Sequence, residues 1–154
     1  VLEMKPTKVS GNDLILAAIE PILIPLEIRE ISFNITGGHN LLYCDVHWTR
    51  EAILNIAKNC MEHTKSGGKL EFSVNDNPLY SEIKISDTGV GISKEDLPHI
   101  FTRFYRGKNS SKESVGIGLS MSKSIIRNQG GDIRVESQVG KGSTFYIRLY
   151  KSII

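Results

Sequence analysis

Apolar positions recur with two different periods along this chain, and the switches between them mark its elements. From Asn12 or Asp13, either able to cap a helix, Leu14, Ile15, Ala18, Ile19 and Ile22 follow at helical spacing, with Pro21 and Pro25 expected to kink or end the run. Residues 31–35 alternate and stop at Gly37-Gly38, which predicts a short strand. Residues 48–63 carry a strongly helical pattern with Ala52, Ile53, Ile56, Ala57 and Cys60 on one side. Leu70, Phe72 and Val74 then alternate with polar residues, as do Ile83 and Ile85. The Asn75-Asp76-Asn77-Pro78 turn between them predicts a hairpin with one wet face. Ser93-Lys94-Glu95-Asp96 has the form of a capping box before a short helix that includes Leu97 and Ile100. Residues 102–115 lack periodicity and read as a mobile loop. A helix over 119–129 is stopped by Gly130-Gly131, and two last strands, 133–136 and 144–150, flank a Gly140-Lys141-Gly142-Ser143 turn. Residues 1–10 are polar and turn-prone and read as a linker tail, leaving 11–154 as one domain.

Composition narrows the function classes. The 154 residues suit one domain with a real core, and 19 basic against 17 acidic side chains, spread along the chain, argue against an electrostatic nucleic-acid or membrane-surface role. The apolar stretch 14–26 is broken by Glu20, Pro21 and Pro25, so it is no membrane span. Cys44 and Cys60 fit neither a disulfide framework nor a paired zinc motif; reduced thiols in a cytoplasmic protein are the expectation. The start, Val1 to Pro6, reads as a cut within a longer protein.

Three segments carry candidate chemistry. On the helix over 48–63, Glu51, Asn55, Asn59 and Glu62 share a polar face, putting two carboxamides one turn apart. A carboxamide oxygen is a hard, neutral ligand, suited to Mg²⁺ already held by phosphates and water; an idle solvated face is the ordinary alternative. Asp87 ends the strand that contains Ile83 and Ile85, where a carboxylate is at least half-buried and needs a partner such as an adenine amino group. Gly89 and Gly91 after it permit close backbone approach, although a plain turn explains them too. Gly116-Ile117-Gly118-Leu119 opens a helix whose first amides favour anions. It is neither a dinucleotide fingerprint, lacking a preceding strand, nor a P-loop, lacking Gly-Lys-Ser/Thr.

In this order and spacing the segments resemble the catalytic ATP-binding domain of sensor histidine kinases, in the superfamily shared with gyrase, heat-shock chaperones and mismatch-repair ATPases. Residues 100–106 resemble the aromatic box that opens the ATP lid of those kinases. The resemblance covers residues 10–150, including Gly130-Gly131, Ser137 and Gly140 to Phe145. It implies a two-layer α/β sandwich (the Bergerat fold), with a mixed, mostly antiparallel sheet covered on one face by helices and a mobile lid. It further implies that Asn59 holds Mg²⁺, Asn55 lies near the triphosphate, Asp87 reads adenine, and Gly116 and Gly118 wrap the phosphates. Gly89, Gly91, Ile92, Phe104, Tyr105, Arg106, Ile117, Leu119 and Thr144 are the further nucleotide contacts. Phe101 and Phe104 would anchor the lid while Arg103, Arg106 and Lys108 meet phosphate. The chain departs from the pattern at Glu62, where many such kinases have Lys, and at Ser120, where a third glycine is common.

Hydrolytic members of the superfamily carry an acid one turn before the metal-binding Asn. Here that residue is Asn55, which cannot take a proton at neutral pH, so the resemblance implies a kinase more than a hydrolase. None of His39, His47, His63 and His99 stands in a phosphoacceptor context, a His followed by an acid on a dimerisation helix. The expected partners are therefore a dimerisation/phosphoacceptor domain of the parent protein and a downstream response regulator. The parent is expected to be anchored in the membrane with this part cytoplasmic and touching neither membrane nor nucleic acid. An anti-sigma-factor-type serine kinase and a non-catalytic nucleotide-binding module are the alternatives.

Overall fold

Alternating strands with one apolar face and helices with one apolar stripe bury both only by stacking, and the chain does so in two layers. The computed structural model describes residues 2–105 and 118–151. In chain order the elements are β1 (Thr7–Ser10), α1 (Gly11–Ile19), a 3-10 turn (Glu20–Ile22), α2 (Leu23–Ile28), β2 (Ser32–Thr36), β3 (Leu41–Cys44), α3 (Val46–Glu62), β4 (Lys69–Asp76), β5 (Tyr80–Asp87), a second 3-10 turn (Leu97–His99), α4 (Gly118–Asn128), β6 (Asp132–Gln138) and β7 (Gly142–Tyr150). The main sheet has the order β2-β4-β5-β7-β6. β2 runs parallel to β4, and the other neighbours are antiparallel. No helix among the described residues is long and apolar enough to cross a membrane.

Strand alternation divides the sheet sharply. Leu70, Phe72, Val74, Ile83, Ile85, Phe145 and Ile147 point to one side and are fully buried under Leu14, Ile15, Ile19, Ile53, Ile56, Ile125 and Ile126 of the helices. Each such side chain contributes on the order of 1.5–3 kcal/mol by leaving water. The other face stays polar, with Glu82 bonded to Arg148 at 2.8 Å and Tyr146 between the cations of Lys84 and Arg134.

The pattern-based elements appear, with differences at the N-terminal strand, the cap of α1 and the turn after Ser93. Thr7–Ser10 is not part of a turn-prone linker but a strand, paired antiparallel with β3, which the pattern did not reveal. Its strand character comes from pairing, since only Val9 and Ser10 are even half-buried. The cap of α1 is Ser10, whose hydroxyl accepts from the Asp13 amide at 3.1 Å, rather than Asn12 or Asp13. Pro21 sits within a 3-10 turn after α1 ends at Ile19, as a ring without N–H dictates. The Ser93 hydroxyl does accept from the Asp96 amide at 3.2 Å, but the turn that follows is 3-10 rather than α-helical.

Asp45 caps α3 and ties down the N-terminal segment. Its side chain takes the Trp48 amide at 2.9 Å and the Lys5 amide at 2.8 Å. Burial alone would raise its pKa; the Trp48 and Lys5 amides and nearby His47 outweigh that and hold it below the usual carboxylate value. Its contribution to stability is therefore whole above the unfolded carboxyl's pKa of about 3.9 and is lost as pH falls through the lower folded value. Asp45→Ala should cost about 1–2 kcal/mol in urea denaturation at pH 7, and the difference from the parent should shrink below about pH 4.

Candidate functional site

Helices α3 and α4 lie antiparallel and are tied along their length. At one end Gln129 accepts the Asp45 amide at 2.9 Å and donates to the Thr49 hydroxyl at 2.9 Å. In the middle the buried Ser122 hydroxyl donates to the Ala52 carbonyl at 2.9 Å. At the far end a side chain on Gly118 would lie 3.6 Å from Asn55. The start of α4 is thus delivered beside the half-buried carboxamide of Asn55.

The C-terminal end of α3 meets the loop after β5. The carbonyl of His63, which caps α3, accepts the Val90 amide at 3.0 Å, and His63 Nε2 is buried with no hydrogen-bond partner among the described residues. Asp87 is 7% exposed, and its Oδ1 accepts the Gly89 amide at 2.8 Å and the Ser143 amide at 3.2 Å. Burial, followed by the charge and hydrogen bond of Asp87, pushes the Cys60 thiol pKa well up. A carboxylate offers about four acceptor sites, so these two amides leave capacity for a further donor.

The two glycines of this loop answer different demands. A Cβ on Gly89 would lie 2.2 Å from the His63 carbonyl oxygen, so the residue is small because helix and loop touch there. Gly91 has φ +78°, and a Cβ would lie 2.2 Å from the Gln138 carbonyl oxygen. Beyond it the Ile92 amide donates to the Ser137 hydroxyl at 2.7 Å while its side chain enters the core.

Around this loop the expected contacts divide. Phe101 anchors as expected, packed edge-on to Phe145 at 6.3 Å. Phe104 does not: it is 62% exposed at φ 67°, with the Arg103 guanidinium over its ring at 4.9 Å. Tyr105 is half-buried, stacked on His99 at 5.2 Å, and its hydroxyl donates to Asp96. That bond and the nearby acidic charge raise the Tyr105 pKa. Leu119 packs against the core beneath the start of α4. Thr144 is turned to the open face of the sheet, its hydroxyl 3.1 Å from that of Ser86. The residue on β7 that meets Asp87 is its neighbour Ser143, whose hydroxyl lies 2.8 Å from that of Ser137. Counting by two from Phe145, whose side chain belongs to the core, would have found Ser143. Ser122, Gln129 and Asp96 carried no comparable signal. Arg106, Lys108, Gly116, Ile117 and the rest of the expected lid loop beyond Tyr105 lie outside the described residues. Cys44 and Cys60 are both free and buried.

Comparison with known proteins finds a family and a fold. Residues 44–153 match the family described as histidine kinase-, DNA gyrase B-, and HSP90-like ATPase. Sensor protein SrrB of Staphylococcus aureus is 36% identical over 148 residues, covering 86% of this chain. The chain spans only 25% of the length of that relative. Among solved structures, a mycobacterial sensor histidine kinase, MprB, superposes with TM-score 0.80 at 23% identity, covering 94% of this chain and 97% of its own. The catalytic domain of histidine kinase ThkA, in a nucleotide-free form, gives 0.83 at 22% identity over 96% and 99%. Full-length ShkA in complex with AMPPNP gives 0.83 at 19% identity, covering 99% of this chain and 32% of its own.

Gly89→Ala tests the contact between the end of α3 and the Asp87 loop. The added methyl has backbone in its way, so stability should fall by about 1–3 kcal/mol in thermal unfolding, and nucleotide affinity should fall with it.

Proposed function

The chain belongs to the histidine kinase-, DNA gyrase B- and HSP90-like ATPase family, and we propose that it is the catalytic domain of a sensor histidine kinase, binding ATP with Mg²⁺ and presenting the γ-phosphate to a histidine on a separate phosphoacceptor domain. The observation that carries this reading is the antiparallel seating of α3 against α4, which brings the carboxamide of Asn55 to the first residue of α4. A helix N-terminus suits phosphate oxygens, and the residue beside it is a carboxamide, which does not take up a proton from an attacking water. Phosphoryl transfer needs positioning and charge stabilisation more than a protein nucleophile, so a domain that holds ATP and lacks the acceptor is mechanistically complete.

Each part of the nucleotide has a matching group. Asp87 takes the adenine amino group with its remaining acceptor capacity, a choice that also excludes guanine, whose carbonyl at that position has no proton to give. His63 Nε2, unpaired among the described residues, is a second unmet hydrogen-bonding atom near this loop. Asn59 supplies one oxygen to Mg²⁺, whose other ligands are phosphate oxygens and water. The metal, when bound, neutralises charge that builds on the transferring phosphoryl group. Asn55 and the start of α4 orient the phosphates, and Tyr105, held by Asp96 and His99, sits at the foot of the lid segment. The AMPPNP held by the ShkA neighbour supports a nucleotide in this fold. SrrB, matched over a quarter of its length and named a sensor protein, supports a signalling parent. In that parent this domain works on the cytoplasmic side of a membrane-anchored sensor and feeds a response regulator.

Two substitutions test the reading. Asp87→Asn should weaken ATP binding about ten- to a hundredfold, the worth of a charge-assisted hydrogen bond, and narrow the preference over GTP in calorimetry. Asn59→Ala should leave the helix intact, alanine being the better helix former, while abolishing Mg²⁺-dependent transfer to a supplied acceptor domain. Transfer that persists at limiting Mg²⁺ would remove the metal role. A phosphorylated partner that keeps its label in acid would point to serine instead of histidine as acceptor.

A further inference from the structure

The small ribbon of β1 and β3 departs from the rule that the main sheet follows. β3 turns Leu42 and Cys44 into the core, which calls for a polar opposite face, yet that face carries Leu41 and Tyr43, 60% and 66% exposed. The register sets Lys8 of β1 directly across from Tyr43. All three residues line a groove of about 520 Å³ that is also lined by Leu149, Tyr150 and Lys151 at the end of β7, with Tyr150 51% exposed. Three large apolar side chains left in water thus share one concavity, of a size that takes small organic molecules. Ser81 lines it too, and Ser81 and Asp87 are six residues apart along β5, about 20 Å. The groove is therefore separate from the Asp87 end of the sheet.

The charge of this groove is one-sided. Its lining includes Lys8 and Lys151 and no acidic residue. Lys151 is held by Asp76 at 2.9 Å, whereas Lys8 is in no ion pair among the described residues. A lysine beside an apolar wall offers its stem to hydrocarbon and its ammonium to an anion. We propose that the groove is a second binding site, for a free small carboxylic acid with an apolar body: the body lies against Leu41, Tyr43 and Tyr150, and the carboxylate pairs with Lys8. A phosphate fits less well, because its extra charge costs more to draw from water toward an apolar wall than one exposed ammonium returns. A neutral apolar molecule leaves the ammonium unanswered, and an amine is repelled by it.

Octanoate, octanol and octylammonium carry one apolar chain on three different heads, and each can be titrated into this chain by two-dimensional amide NMR. Octanoate should bind with a Kd on the order of 0.1–1 mM and shift the amides of Lys8, Leu41, Tyr43 and Tyr150. Octanol should bind about three- to fivefold more weakly, and octylammonium about tenfold or more. Lys8→Gln should bring octanoate to the level of octanol, and Tyr43→Ser should weaken all three probes. Both side chains are exposed, so thermal unfolding should find the variants as stable as the parent, with unchanged affinity for Mg-ATP. Saturating Mg-ATP should leave octanoate in place. The proposal is overturned by an absence of shifts up to about 10 mM octanoate, by equal binding of octanoate and octanol, by indifference to Lys8→Gln, or by displacement with Mg-ATP. Phosphatidylcholine vesicles containing phosphatidylserine should leave the chain in the supernatant on sedimentation; retention that Lys8→Gln abolishes would make a membrane surface the partner and overturn the assignment to a free acid.

Discussion

A carboxylate held out of water at the end of a central strand is the constraint around which the site is arranged. Unpaired, an ionised group in that position is costly enough to unfold its surroundings or to take up a proton. Asp87 is paired by amides from two elements: its own loop through Gly89 and β7 through Ser143. That convergence requires β7 to lie beside β5, as the sheet order provides. The need to satisfy one charge thus explains why a long sequence separation, 56 residues between Asp87 and Ser143, closes so tightly.

The second constraint is the distance between the two ends of the site. Thr49 and Asn55 are six residues apart, about 9 Å along a helix, and the bonds of Gln129 and Ser122 and the approach of Gly118 to Asn55 are spread along that span. Gln129 and Ser122 work as fixed rungs, so the start of α4 cannot slide along α3 without breaking buried hydrogen bonds. Rigid helices carry this placement better than loops do, and the groups assigned to phosphate and metal stand on them.

Much of this was legible in the sequence, for reasons that differ from element to element. The helix over 46–62 and the hairpin of β4 and β5 announced themselves because one face of each is apolar and the other polar, so period and burial agree. Asp87, Asn55 and Asn59 were legible because a charge after an apolar strand and two amides one turn apart stand out against their backgrounds. β1 and β3 were not, since a two-stranded ribbon at the margin owes its form to pairing and buries only alternate side chains of one strand. Thr144 was named from the resemblance alone, and a one-residue step along a strand reverses the side chain, so it is Ser143 that meets Asp87. Phe104 was read with Phe101 as an anchor from the resemblance to an aromatic box, yet it has a positive φ and its ring is exposed to water.

Val90 joins the two halves of this arrangement through its backbone alone. Its amide is bound by the His63 carbonyl at the end of α3, and its carbonyl takes the Gly140 amide at 2.8 Å in the turn between β6 and β7. The side chain takes no part in either bond. Over evolutionary time position 90 is therefore open to drift, because nearly any residue with an N–H presents the same two groups. Its glycine neighbours have no such latitude. The joint between helix and hairpin is thus written in main-chain atoms, and a change of side chain at its middle leaves both of its bonds in place.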